Sequence, residues 1–93
     1  MYPASADPAQ IEQIVERTAK AFKQSPGFRS ITTSVDALLG PGAKSGEFGR
    51  VVLADFDTLE AALDALKAET FREVRADSEL LGPTHYLFEC REI

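Results

Sequence analysis

Ala54-Asp55-Phe56-Asp57-Thr58-Leu59-Glu60-Ala61 is the stretch on which the fold turns, because two periodicities meet there. Upstream, Glu47 to Asp55 reads as a strand. Phe48, Val52 and Ala54 share one face and Val51 and Leu53 the other. Gly49 inside that run marks a bulge or a close approach of backbone. Downstream, Leu59, Leu63 and Leu66, with Ala62, recur at helical spacing and predict an apolar stripe. Asp57 or Thr58 is the N-cap; for Asp57, Glu60 stands at the capping-box position. A bend is expected between Ala68 and Thr70. Phe71 and Val74 then continue on a short helix, with Arg72 and Arg75 outside.

Working toward the N-terminus, a first helix is expected from about Pro8 to Gln24. Asp7 is a good cap, and Pro8 fills the first helical position, where its missing N–H costs nothing. Ile11, Ile14, Val15, Thr18 and Phe22 form one stripe, while Glu16 and Lys20 pair four residues apart on the wet side. Ser25-Pro26-Gly27 ends the helix. A strand follows from Phe28 to about Val35, with Arg29, Ile31, Thr33 and Val35 on one face and Phe28, Ser30, Thr32 and Ser34 on the other. Asp36 to Gly46 reads as a loop in which Leu38 and Leu39 fold back or meet another surface. The strands on either side of it are expected to pair antiparallel. Gly82-Pro83 turns the chain into a last strand, Thr84 to Glu92. Tyr86, Phe88 and Cys90 lie on one face of it, and His85, Leu87, Glu89 and Arg91 on the other.

The order is helix, strand, strand, helix, strand. One strand in front would make it βαββαβ, an α+β ferredoxin-like antiparallel sheet with two main helices on one face. Only Met1 to Ala4 precede the first helix, and Pro3 cannot donate to a ladder. The first strand is therefore truncated or missing. Two helices cover one sheet face only. Phe28, Phe48, Leu53, Tyr86 and Leu87 place apolar groups on both faces, so a homodimer packed sheet to sheet is expected.

The 93 residues and 10.1 kDa describe one domain, spanning 1–93. Size scaling gives burial of roughly 64% of the unfolded surface, enough for a modest core. The formal charge of -5 excludes a strongly basic nucleic-acid footprint. Seven acids against three bases fall between residues 56 and 80, which reads as a solvated helix face. Cys90 is the one cysteine, so an intrachain disulfide and a cysteine-rich metal site are excluded. There is no basic start followed by an apolar run, and no stretch of about 20 apolar residues. The expectation is a cytoplasmic protein with no membrane segment, no nucleic-acid partner and no bound cofactor or metal.

The chain resembles the dimeric α/β-barrel superfamily, especially its EthD-like and antibiotic-biosynthesis-monooxygenase-like branches. Tyr2-Pro3 followed by Asp7-Pro8 looks like the end of a first strand and the opening of helix one. Ser25-Pro26-Gly27-Phe28 is similar to the family's step from helix one into strand two. The Ala54–Ala61 stretch is similar to its junction of strand three with helix two, and Phe71 to Asp77 with Leu81-Gly82-Pro83 to its last short helix and turn. The resemblance implies a dimeric α/β barrel with a pocket beside the sheet for an aromatic or polyketide-like molecule. In some members oxygen is used there without metal or flavin. Phe22, Phe48, Phe71, Tyr86 and His85 are the residues it singles out.

Residue chemistry gives each candidate two readings. His85, the sole histidine, is either a base that orients a phenol or carbonyl or, preferred here, a surface or loop-anchoring side chain. Tyr86 offers a phenol to a pocket or packs with its hydroxyl in water. Arg29 and Arg50 bind a carboxylate ligand or, preferred, pair with Glu47 or Glu89. Asp55 and Asp57 share a strand face as metal ligands would, but the helix start accounts for Asp57. Cys90 lacks an evident histidine neighbour and reads as a buried small hydrophobe. Gly40-Pro41-Gly42-Ala43-Lys44-Ser45-Gly46 lacks the glycine-lysine-serine order of a phosphate loop and reads as a rim loop. Two functions compete: a small-molecule protein, catalytic or not, and a structural or regulatory dimer or accessory domain.

Overall fold

The computed structural model describes residues 1–34 and 48–91; the Phe48 side chain and the expected loop from Asp36 to Gly46 lie outside them, as do Val35, Glu47 and Glu92. The described residues make a small α+β domain with two antiparallel two-stranded sheets and three helices. In chain order they are β1 (Tyr2–Pro3), α1 (Pro8–Phe22), β2 (Phe28–Thr33), β3 (Phe48–Arg50), β4 (Val52–Phe56), α2 (Leu59–Lys67) and α3 (Glu69–Glu79).

Helix α1 begins as its sequence dictates. The Asp7 carboxylate accepts a hydrogen bond from the Ala9 N–H at 3.0 Å, and Pro8 stands at the first turn. Ile11, Ile14, Val15 and Phe22 turn inward and are buried. The helix ends before Gly27, which takes φ +79°, a region open to glycine and costly for other residues. A β-carbon there would also stand 2.8 Å from the Ala61 Cβ. The Gly27 carbonyl accepts from the Asp57 N–H at 2.7 Å, so this turn locks the entrance of β2 against the start of α2.

β2 and β4 pair antiparallel, as expected of neighbouring strands. The register shifts between Phe28 and Ser30, so Arg29 is an extra residue on β2. That bulge corrects the expected faces. Phe28 joins Ile31 against the core rather than opposing it, and Thr33 is half-buried on the same side.

The expected single strand from Glu47 to Asp55 is two strands split at Val51. β3 pairs antiparallel with β1, and β4 pairs with β2. At the join, the Ser34 N–H donates to the Val51 carbonyl at 2.9 Å, and the Val51 N–H donates to the Ser34 hydroxyl at 3.0 Å. Gly49 resolves to close packing: a β-carbon would lie 3.1 Å from the Ala4 Cα. β1 is two residues long.

Helix α2 is capped by Thr58, whose hydroxyl accepts from the Ala61 N–H at 3.0 Å. Its expected stripe is corrected. Leu59 and Leu63 are exposed, while Ala65 is buried and Ala62 and Leu66 are half-buried. The Ala61–Gly27 contact sets the helix close to the turn and so fixes its rotation. The bend falls at Ala68, whose extended backbone (φ -65°, ψ 143°) separates α2 from α3. Phe71, Val74 and Ser78 are buried along α3.

The last expected strand, Thr84 to Glu92, forms no ladder among the described residues. Met1 and Thr84 do exchange two backbone bonds, Thr84 N–H to the Met1 carbonyl at 2.7 Å and the Met1 amine to the Thr84 carbonyl at 2.6 Å. That is one antiparallel pair. Continued toward β1, Tyr2 and Pro83 would form a non-bonded pair, and the next bonded pair would need an N–H from Pro3, which has none. His85 to Arg91 are exposed and form no ladder among the described residues. Cys90 is exposed too, which corrects its expected burial.

Candidate ligand cavity

Between β4 and the three helices lies a cavity of about 360 Å³. The size falls in the lower part of the range for small-molecule sites, roughly 300–1,000 Å³. Inward-facing Val52 and Phe56 form the sheet wall, and Val15 and Phe22 come from α1. Ala62 and Leu66 of α2 and Phe71 of α3 complete the apolar lining. Alanine at position 62, rather than a larger side chain, leaves this space open. Phe22 packs at a tilt against Phe71, 4.7 Å between ring centroids, and meets Phe56 edge-on at 5.4 Å, so an aromatic group would enter a ring-lined wall.

Within the lining Tyr2 and Ser78 are both buried, with hydroxyl oxygens 2.6 Å apart. β1 carries Tyr2 and the last turn of α3 carries Ser78, so the bond joins the first strand to the last helix. The hydroxyls satisfy each other, and each keeps spare hydrogen-bonding capacity for a third oxygen. The exposed rim of the lining is Arg75, His85, Tyr86 and Leu87. The His85 Nε2 lies 2.9 Å from the Glu79 Oε1, which ties the C-terminal segment to the end of α3. The Met1 amine also borders the cavity, and desolvation by burial holds its pKa below the usual 8.0.

Four of the six residues singled out from sequence meet here: His85, Tyr86, Phe22 and Phe71. Phe48 is positioned only by its backbone in β3, its side chain lying outside the described residues. Arg50 does not line the cavity; its guanidinium donates to the Glu12 carboxylate at 2.8 Å and to the Thr33 hydroxyl at 3.2 Å, with the side chain 18% exposed. Arg29 lies 3.5 Å from Asp57, and Asp55 accepts a bond from the Ser30 hydroxyl at 3.2 Å. Neither arginine pairs with Glu89 among the described residues, and Glu47, the other expected partner, lies outside them. Among the described residues no three His, Cys, Asp or Glu side chains converge as a metal site would need. No helix among them is long and apolar enough to cross a membrane.

Sequence reasoning missed Tyr2, Ser78 and Arg75. Tyr2 carried a signal, an aromatic residue in the only segment able to supply a first strand. Ser78 carried none, since a serine at the fourth position of an i, i+3, i+4 stripe through Phe71 and Val74 looks like a polar interruption. Comparison with known proteins finds no matching family model, no matching curated protein and no matching solved structure.

Proposed function

We propose that this chain binds a small apolar or aromatic molecule between its sheet and its helices. The observation that carries the reading is the cavity itself, apolar on its walls and polar at one end, with His85 and Tyr86 at its mouth. We take the domain to be ferredoxin-like. The strand contacts support this: Thr84 bonds to Met1, β1 to β3, and the continuation of β3, β4, to β2. That succession is what a βαββαβ chain with a short first strand gives. The likeness to the EthD-like and monooxygenase-like branches of the dimeric α/β-barrel proteins stays part of this proposal. So does a cytoplasmic location. A cofactor-independent oxygenase reaction is the activity to test once a ligand is known, with His85 as the base.

The test is titration with N-phenyl-1-naphthylamine, a neutral dye that fluoresces in apolar surroundings. Saturable binding at one site per chain, abolished by Ala62→Trp, is the expected result. Ala62 is half-buried in the wall, so an indole there fills the space. Binding that is absent, or indifferent to Ala62→Trp, refutes the reading.

A second reading has its own observation. Leu53, Tyr86, Leu87 and Phe88 are exposed, and among the described residues the backbone from His85 to Arg91 has no ladder partner. An unpaired extended segment with apolar side chains is a pairing edge, and a second copy of the chain is the proposed partner. The dimer is compatible with ligand binding, or stands alone as a structural or regulatory assembly. Sedimentation equilibrium decides it: twice 10.1 kDa supports the dimer, and 10.1 kDa at micromolar concentration rejects it.

A further inference from the structure

The cavity reverses the charge of the protein around it. The chain carries 15 acids against 10 bases, yet the residues lining the cavity include no carboxylate. Its ionisable groups are Arg75, His85, the Met1 amine and the phenols of Tyr2 and Tyr86. Two of the three nitrogen groups are engaged: the amine donates to the Thr84 carbonyl, and His85 is held by Glu79, which stands outside the lining. Arg75 forms no ion pair among the described residues, although Arg17, Arg29 and Arg50 each have one. The contrast is local. A more open depression between α1 and α3 mixes Arg17, Lys20 and Arg72 with Glu69 and Glu73, and so favours neither sign.

We infer that the ligand is an amphiphile, an aromatic or aliphatic body with one anionic head, and that Arg75 is the residue that selects the head. This rests on the cavity reading above and narrows its ligand class. The body lies against Phe22, Phe56 and Phe71. The head stays at the mouth, where a guanidinium gives two parallel donors to a carboxylate or sulfonate without being fully dehydrated. Deeper in the lining, beside the buried Tyr2 and Ser78, an anion would lose more of its hydration, and two hydroxyls do not neutralise it. The orientation is therefore fixed, with the anion out and the rings in. Exposure of Arg75 keeps its desolvation cost small, so the contact discriminates between ligands more than it adds raw affinity.

Two dyes of one ring system test this. 1-Anilinonaphthalene-8-sulfonate carries a single sulfonate, and N-phenyl-1-naphthylamine lacks it. Arg75→Gln should weaken binding of the sulfonate about fivefold, the upper scale of an exposed ion pair. Binding of the neutral dye should stay within twofold, and Arg75→Lys should recover part of the loss, because an ammonium keeps the charge but not the paired donors. The unfolding midpoint of Arg75→Gln should be unchanged, because the side chain is exposed. Sulfonate binding that ignores Arg75→Gln overturns the inference while leaving the cavity reading in place, provided the neutral dye still binds. Equal weakening of both dyes also overturns it, since Arg75 would then act on the cavity's shape. If neither dye binds the wild-type chain, the cavity reading falls and this one with it.

Discussion

Tyr2 and Ser78, 76 positions apart in the chain, share a buried hydrogen bond of 2.6 Å between their hydroxyls. The bond clamps the two-residue β1 to the last turn of α3, and both residues line the cavity. A strand so short has few ladder bonds of its own, so side-chain anchorage sets its position.

Removing either hydroxyl leaves the other buried without its partner. Tyr2→Phe and Ser78→Ala should each lower the unfolding free energy by about 1–3 kcal/mol. The double variant should cost clearly less than the two single losses together, because no orphaned group remains. Urea denaturation of the four proteins measures this coupling. Strict additivity would mean that the two hydroxyls do not depend on each other.

Gly27 and Gly82 separate two effects of adding a β-carbon. Both have positive φ, +79° and +70°, but only Gly27 faces an atom, the Ala61 Cβ at 2.8 Å. Gly82→Ala should cost about 1–2 kcal/mol of backbone strain. Gly27→Ala should cost more, because α2 must also move away from the turn. Equal losses in thermal or urea unfolding would show that the Ala61 contact yields freely.

Arg50 holds α1 to the sheet through Glu12 and Thr33 and lies away from the cavity lining. Arg50→Met should reduce stability by about 1 kcal/mol, since Glu12 is half exposed and water screens the pair. Binding of the neutral dye should not change. A variant that keeps its stability and loses the dye would place Arg50 in the binding site.

The Met1 amine has a folded pKa below its usual 8.0 because burial disfavours the charged form. The unfolded chain therefore binds more protons between the lowered value and 8.0. Stability should rise with pH across that window and level off above it, and the contribution should be lost as pH falls through the folded value. Nα-acetylation should remove this component from urea midpoints taken between pH 6 and 9. An identical slope with and without acetylation would contradict the assignment.

Local chemistry was legible where a single residue decides a backbone angle or a cap. Asp7-Pro8 started α1, Gly27 turned the chain into β2, and Ala68 fell in the expected bend. The rotation of α2 was not legible. Leu59, Leu63 and Leu66 outweigh the alanines on any hydrophobicity count, but the small Ala61 permits the close approach to Gly27 that leaves Leu59 and Leu63 outside and only Leu66 half-buried. The Arg29 bulge was equally hidden, since a parity argument assumes that no residue is inserted. The last strand illustrates a third limit. Alternation within Thr84 to Glu92 says that the segment suits a sheet, and says nothing about whether an edge exists beside it. In the cavity, the aromatic residues were visible as apolar side chains. Arg75 was expected outside the helix and does lie exposed; its place at the cavity mouth depends on the path of a C-terminal segment that no helical pattern encodes.

The most direct measurement is methyl NMR of the labelled chain during titration with N-phenyl-1-naphthylamine. Binding between sheet and helices predicts shifts concentrated at Val15, Val52, Ala62 and Leu66, with Leu53, Leu59 and Leu63 unmoved, because those three leucines are exposed and absent from the lining. Shifts concentrated at the three leucines, or none at saturating dye, would contradict the account.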